Sequence, residues 1–474
     1  MEWFDHVDRH AVFKAGQDRD GSRRPMHVEP RPTPHPGIDH PAPRPRWSVI
    51  VPARSLVGRS LVGLFLLAVF LLGLAIGLRD GVGRAEEPVA TATVSRRLPP
   101  RPERSADERR RLAEELRAVY AGDSGQWPAP NVDPGVEWRE LGLLPSAEHP
   151  ADNPHTPAKE RLGRALFFDP RLSGSGQIAC ASCHDPDLGW ADGRTTSFGH
   201  SRKHLARNAP TIRNAVFHRQ LFWDGRADSL EDQAEQVLLN PDEMRSGPEH
   251  VAAVLGGEEG YRALFRDAFG DDTIDLRRAA EAIACFERTV VGGGSRFDAF
   301  LKGNRQALSD EAVLGLDLFR REARCLNCHH GPTLSDGRFH DLGLSNYGRP
   351  FEDLGRFRIT GDPADSGTFR TPGLRDVTAT SPLMHNGLFE LPVVLTLYNA
   401  GMPTVRPPKD PPAHDAPIPT KSPHLRPLGL NTQDLADLQA FLGSLEEPRR
   451  RVRPPAIPGL DADDAPRGDT AAVN

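Results

Sequence analysis

Cysteine is scarce, five in 474 residues, at positions 180, 183, 285, 325 and 328. Small disulfide-stapled folds carry it far more densely, so a disulfide scaffold is excluded. An excess of positive charge is also missing. Lys and Arg total 59 against 65 Asp and Glu, a formal net charge of −6, so no global basic field draws the chain to nucleic acid. No long run alternates with a period of two, which argues against an extensive sheet. Glycine (44) and proline (45) are plentiful. They make up about a fifth of the chain against a usual share of about 12%, so much of it is loop. At roughly 100–200 residues per domain, the length predicts two to four domains.

Residues 1–54 are rich in Pro, Arg and His without apolar periodicity, as in RPTPHPGIDHPAPRPR, and read as disordered. From Leu61 to Leu78 no polar side chain occurs. As a helix at about 1.5 Å per residue this run reaches roughly 27 Å, close to a bilayer core, so a transmembrane anchor is expected over 55–79. A cleaved signal peptide is the competing reading, but its apolar region usually runs about 7–15 residues and starts near the N-terminus. Arginines flank the run on both sides (Arg54 and Arg59 before it, Arg79 and Arg84 after it), so charge does not orient it. Residues 80–139 read as a helix (106–121) followed by a proline-rich linker. Short helical patterns then alternate with glycine-rich loops, and a last helix is expected near 432–445. The fold class is all-α with long irregular loops.

Cys180-Ala-Ser-Cys183-His184 and Cys325-Leu-Asn-Cys328-His329 are both C-x-x-C-H. The spacing is that of covalent haem attachment: two thiols form thioethers to the haem vinyl groups, and the adjacent histidine reaches the iron. At this composition chance supplies about 0.002 such pentapeptides per chain, so two are not accidental. A redox C-x-x-C needs no histidine and belongs in a βαβ context that is missing here. A zinc site would need the two pairs to converge. Two haem c groups are expected, and their attachment outside the cytoplasm would face the body of the protein to the periplasm, anchored in the inner membrane. Cys285, in EAIACFERT, reads as a buried apolar thiol.

Around the first motif the chain reads LFFDPRLSGSGQIACASCHDPDLGWADGR, SFGHSRKHLARNAPTIRNA and LFWDGRADSLEDQAEQVLLNPDEM. It continues through SRFDAFLKGN, CLNCHHGPTLSDGRFHDLGL and GTFRTPGLRDVTATSPLMHNG to YNAG. Over about 140–445 it resembles the bacterial di-haem cytochrome c peroxidase family, including its MauG branch. The resemblance implies two cytochrome c-like domains, here 140–300 and 301–447, with a disordered tail at 448–474. The first haem would be peroxidatic and the second would handle electrons, with calcium between them.

Carried over position by position, the resemblance implies His184 as proximal and His200 as distal ligand of the first iron. It implies Glu243 as the acid–base group, Gln233 as a pocket amide, and Trp223 between the haems. Asn208, Thr380 and Pro382 match the calcium positions. His329 would be proximal at the second haem. Tyr398 occupies the sixth-ligand position, as in the MauG branch where ordinary peroxidases have methionine; Met402 and Met384 are the nearby sulfur alternatives. The expected activity is reduction of hydrogen peroxide to water with electrons from a small cytochrome c or copper protein. The alternatives are a MauG-like oxidase acting on a protein substrate and a non-catalytic electron-transfer cytochrome. A homodimer is left open.

Overall fold

The computed structural model describes residues 98–408, 410 and 412–460. Residues 1–54, the apolar run 61–78 and residues 461–474 lie outside these. Among the described residues no helix is long and apolar enough to cross a membrane.

Most of the longer helices begin where a side chain can take up the first free N–H groups. The helices of six or more residues are α1 (Ala106–Val119), α2 (Pro157–Phe168), α3 (Leu230–Leu239), α4 (Pro248–Gly256), α5 (Glu259–Phe269), α6 (Leu276–Glu287), α7 (Arg296–Leu301), α8 (Asp310–Arg320), α9 (Leu391–Asn399) and α10 (Thr432–Gly443), and a single short turn of helix spans Phe357–Thr360. Thr156 accepts from Lys159 N at 3.1 Å to start α2, and Asp275 accepts from Arg278 N at 2.8 Å to start α6. Asn431 caps α10, accepting from Asp434 N at 2.8 Å while the Asp434 carboxylate accepts from Asn431 N at 3.1 Å. The sheet content is small. Among the described residues it is one antiparallel pair, β1 (Phe339–His340) against β2 (Phe369–Arg370), with Phe339 opposite Arg370. The expected all-helical, loop-rich class holds.

The helices bury two separate cores. Leu162, Leu166, Phe167, Tyr261, Phe265 and Ile283 fill the first, from α2, α5 and α6. Phe297, Leu316, Phe319, Leu438 and Phe441 fill the second, from α7, α8 and α10. The two cores are variations on one arrangement. In the first, α2 crosses α6 so closely that a Cβ on Gly163 would lie 1.8 Å from the carbonyl oxygen of Ala282. In the second, α8 crosses α10, and a Cβ on Gly315 would lie 2.0 Å from the carbonyl oxygen of Asp437. Only glycine permits such an approach. One turn beyond each glycine, phenylalanines meet edge on or tilted: Phe167 with Phe286 at 5.3 Å, Phe319 with Phe441 at 5.2 Å. The sequence carries the trace of this duplication in LGRALF (162–167) and LGLDLF (314–319).

The domain limits differ from the expected ones at three places. First, 98–139 is not a separate helix and linker. Ala113 and Leu116 of α1 join the second core, and Arg109 of α1 holds Asp437 of α10 with Nη1 2.8 Å from Oδ2. The fully buried Arg320 of α8 then gathers the following segment, donating to Pro128 O at 2.8 Å and pairing with Glu140. Second, α7, expected at the end of the first domain, packs in the second core through Phe297 and Phe300. Third, 448–460 is ordered against the first domain. Ile457 is buried in the first core, and Arg171 donates to Pro458 O at 2.5 Å. These contacts join residues far apart in sequence, and local periodicity cannot register them.

Candidate functional site

The two C-x-x-C-H segments fold alike. Each opens with one 3-10 turn, Cys180–Ser182 and Cys325–Asn327, and each histidine N–H donates to the carbonyl of the first cysteine, at 3.0 Å for His184 and 2.8 Å for His329. Each imidazole is half-buried and engaged at Nδ1 by a main-chain carbonyl: Trp190 O at 3.2 Å for His184, Leu334 O at 3.0 Å for His329. With Nδ1 donating, Nε2 is the nitrogen left for a metal, the usual orientation of a ligating histidine. Burial lowers both histidine pKa values and so keeps the neutral, ligating form.

Cys180, Cys183 and His184 line one cavity of about 770 Å³. Cys325, Cys328 and His329 line another of about 220 Å³. The four cysteines therefore do not converge, which removes a zinc site built from both pairs. Burial pushes the thiols up, Cys183 to about 11 and Cys325 to about 12. Neutral thiols beside a large, mostly apolar cavity with a fixed imidazole fit covalent haem better than thiolate chemistry. Cys328 Sγ also lies near Asp336 and His340, which pair at 2.8 Å, but a sulfur joined to a haem vinyl group as a thioether would no longer serve as a thiolate ligand there. Cys285 is fully buried in α6, as expected for an apolar thiol.

The first cavity carries groups able to move protons. One face of α3 borders it through Leu230, Gln233, Ala234 and Val237, the spacing of a helical stripe. The chain then turns, with Glu243 N donating to Asn240 O at 3.1 Å, and brings Glu243 into the same wall. Burial raises the Glu243 pKa, opposed by Arg226, whose Nη2 is 3.9 Å from Oε1. His200 is different. Its backbone N–H donates to Asp242 O at 2.9 Å, and its Nε2 faces Arg245 Nη1 at 3.3 Å. It is not among the residues lining the cavity, so the expected distal ligand is not brought there. Gly199 sits directly against the Asp242 carbonyl, where a Cβ would lie 1.9 Å from the oxygen.

The second cavity is bordered by Leu391, Val394, Leu395 and Tyr398, again one face of a helix, α9. Burial raises the Tyr398 pKa well above the ordinary phenol range. Met384 also borders this cavity. Met402 does not: its N–H donates to Leu397 O at 2.8 Å, and its side chain is buried elsewhere.

A wall common to both cavities includes Asn208, His218, Trp223 and Arg370. Trp223 Nε1 donates to Asn208 O at 3.0 Å, and its ring lies 6.4 Å from His385, which stacks on Phe369 at 3.6 Å. Asn208, Thr380 and Pro382 all border the second cavity, with Asn208 Nδ2 donating to Arg194 O at 2.8 Å. Sequence reasoning missed Glu287. It is 4% exposed at the end of α6, borders the first cavity, and its Oε2 has no hydrogen-bond partner. Burial lifts its pKa to about 8. Its signal was an acid on the apolar face of EAIACFERT. His218, Arg370 and His385 were missed as well; nothing local marks them, because only domain packing brings His218 and Arg370 to the shared wall and His385 to the second cavity.

Two haem c pockets on a duplicated helical fold, one of them fitted with a buried carboxyl, define the class as a di-haem c-type redox protein. The profile of the di-haem cytochrome c peroxidase family matches residues 157–306. The chain is 38% identical over 317 residues to the methylamine utilization protein MauG of Methylorubrum extorquens, covering 66% of this chain and 85% of that one. It is 38% identical over 361 residues to cytochrome-c peroxidase IdrP1 of Denitromonas iodatirespirans, covering 67% and 90%. Among solved structures, a MauG-like protein associated with microbial copper homeostasis superposes with a TM-score of 0.58 at 34% identity, over 66% of this chain and 95% of that one. The chain belongs to the di-haem cytochrome c peroxidase family, a family of oxidoreductases with two haem c groups.

Proposed function

We propose that the protein reduces hydrogen peroxide to water in the first cavity, with two electrons drawn from a small cytochrome c or copper protein and two protons from solvent. The observation that carries this reading is that Glu243 and Gln233 border the same cavity as Cys180, Cys183 and His184. When bound, the haems supply a peroxide-accepting iron in the first cavity and electron storage in the second. Glu243 takes a proton from one peroxide oxygen and returns it to the other, which leaves as water; a carboxyl lifted by burial is suited to both transfers. Gln233 orients the peroxide through its side-chain amide. Trp223, in the wall common to both cavities, is the proposed conduit for electrons between the domains. His200 can serve as a resting-state ligand only if its loop leaves Asp242 and Arg245.

Calcium is proposed near Asn208, Thr380 and Pro382; haem attachment supports a location outside the cytoplasm, and the apolar run Leu61–Leu78 is the proposed tether. The test is direct. Doubly haem-loaded protein, reductively activated and given a reduced small cytochrome, should oxidise two equivalents of donor per peroxide. No peroxide-dependent oxidation with any donor would refute the reading.

Tyr398 supports a second reading, a MauG-like oxidation of a protein substrate, because it borders the second cavity together with Cys325 and Cys328. A phenolate ligand favours oxidised iron and weakens an electron store, and so favours withdrawing electrons from a protein.

A further inference from the structure

Arg370 of β2 is buried without an acid. Its side chain is 6% exposed as a residue and forms no ion pair among the described residues. Nε donates to Phe222 O at 3.2 Å and Nη1 to Thr371 O at 3.3 Å, while Nη2 has no hydrogen bond. Burial alone pulls its pKa down, to about 10, with no carboxylate opposing it. The other buried or half-buried cations that border either cavity each have a partner: Arg207 has Asp224 and Asp353, Arg213 has Asp376, Arg324 has Asp133, Arg375 has Asp298 and Arg226 has Asp224. Leaving a charge desolvated and unpaired costs several kcal/mol, so a folded chain that keeps one implies an anion from elsewhere.

The place of Arg370 narrows that anion's chemistry. It borders both haem cavities, as does the neighbouring His218, whose ring forms no hydrogen bond and whose pKa is depressed by burial and, second to that, by the arginine's charge. Each porphyrin bears two propionate carboxylates, and a guanidinium is the side chain best shaped to take carboxylates in pairs. We infer that Arg370 is a shared anion anchor, holding porphyrin carboxylates of both haems at the wall between the two cavities. The inference rests on haem loading at both sites and not on peroxide turnover, so it can fail or hold independently of the proposed activity. Its consequence is electrostatic. One cation common to two haems favours the reduced state of both, and its loss must move both in the same direction.

The test uses fully matured R370Q and R370K, with haem content checked by mass. In R370Q the reduction equilibria of both haems should shift about tenfold toward the oxidised form, as expected for removing one charge at close range in a poorly screened site. Such a shift is about 59 mV for a one-electron couple. R370K keeps the charge and the fold but loses the planar fork. Its potentials should stay within about threefold of the wild-type equilibria while the resonance Raman propionate modes of both haems move. Unshifted potentials in loaded R370Q, unmoved propionate modes in R370K, or a change confined to one haem would overturn the shared anchor.

Discussion

Replacing Glu243 by Gln keeps the size and hydrogen-bonding reach of the side chain and removes its ability to accept and return a proton. A positioned acid–base group contributes about 10²–10⁴ in rate, or roughly 3–5 kcal/mol of barrier. E243Q should therefore lose at least a hundredfold in kcat/KM for peroxide, with both haems attached and their spectra unchanged. The environment also fixes the pH dependence. Arg226 at 3.9 Å would by itself stabilise the carboxylate by about 4 kcal/mol at an effective dielectric constant near 20. The pKa is nevertheless raised, so desolvation outweighs that attraction. The ionised form starts the reaction, so activity should fall as pH drops through a pKa above the ordinary glutamate value of 4.5. Removing the cation with R226Q should move this acid limb to higher pH. Steady-state kinetics with a reduced cytochrome across pH reads both effects. Turnover by E243Q within threefold of wild type, or a limb that moves to lower pH in R226Q, would refute the assignment.

Y398F should abolish the low-spin signal of the second haem or replace it with one typical of sulfur ligation from Met384; an unchanged spectrum would remove Tyr398 from the iron. G163A and G315A each drive a methyl group into a main-chain carbonyl at a helix crossing, and overpacking of this kind costs about 1–3 kcal/mol or more. Each should lower Tm by several degrees, and a Tm unchanged in both would contradict the close crossings. Glu287 titrates with a folded pKa near 8, above the ordinary 4.5, so the folded state holds its proton more tightly than the unfolded state. Stability is then lost as pH rises between those values, and E287Q, which cannot ionise, should flatten the decline of Tm over that range. Parallel Tm profiles for the two proteins would count against a buried, neutral Glu287.

The haem centres were legible because covalent attachment demands five consecutive residues of fixed type, and both C-x-x-C-H segments fold as their chemistry requires. Helices α1 and α10 were legible from composition and spacing, and the structure adds the caps that start them, Ser105 and Asn431. The integration of α1 into the second domain was not, because it depends on pairs such as Arg109 with Asp437, 328 residues apart. The duplication had a local trace in LGRALF and LGLDLF, but its meaning lies in a glycine meeting a carbonyl from another helix. His200 shows the opposite case. Its motif matched, yet it is not among the residues that border the cavity, and its ring nitrogen meets Arg245 instead.

The proposed division of labour puts the small exogenous ligand in the first cavity and an iron closed to such ligands in the second. Electron paramagnetic resonance of the fully loaded oxidised and half-reduced protein, titrated with cyanide, tests this most directly. Cyanide should convert only the first haem's signal after reductive activation and leave the second unchanged. Binding at the second haem, or at neither haem in any redox state, would contradict it.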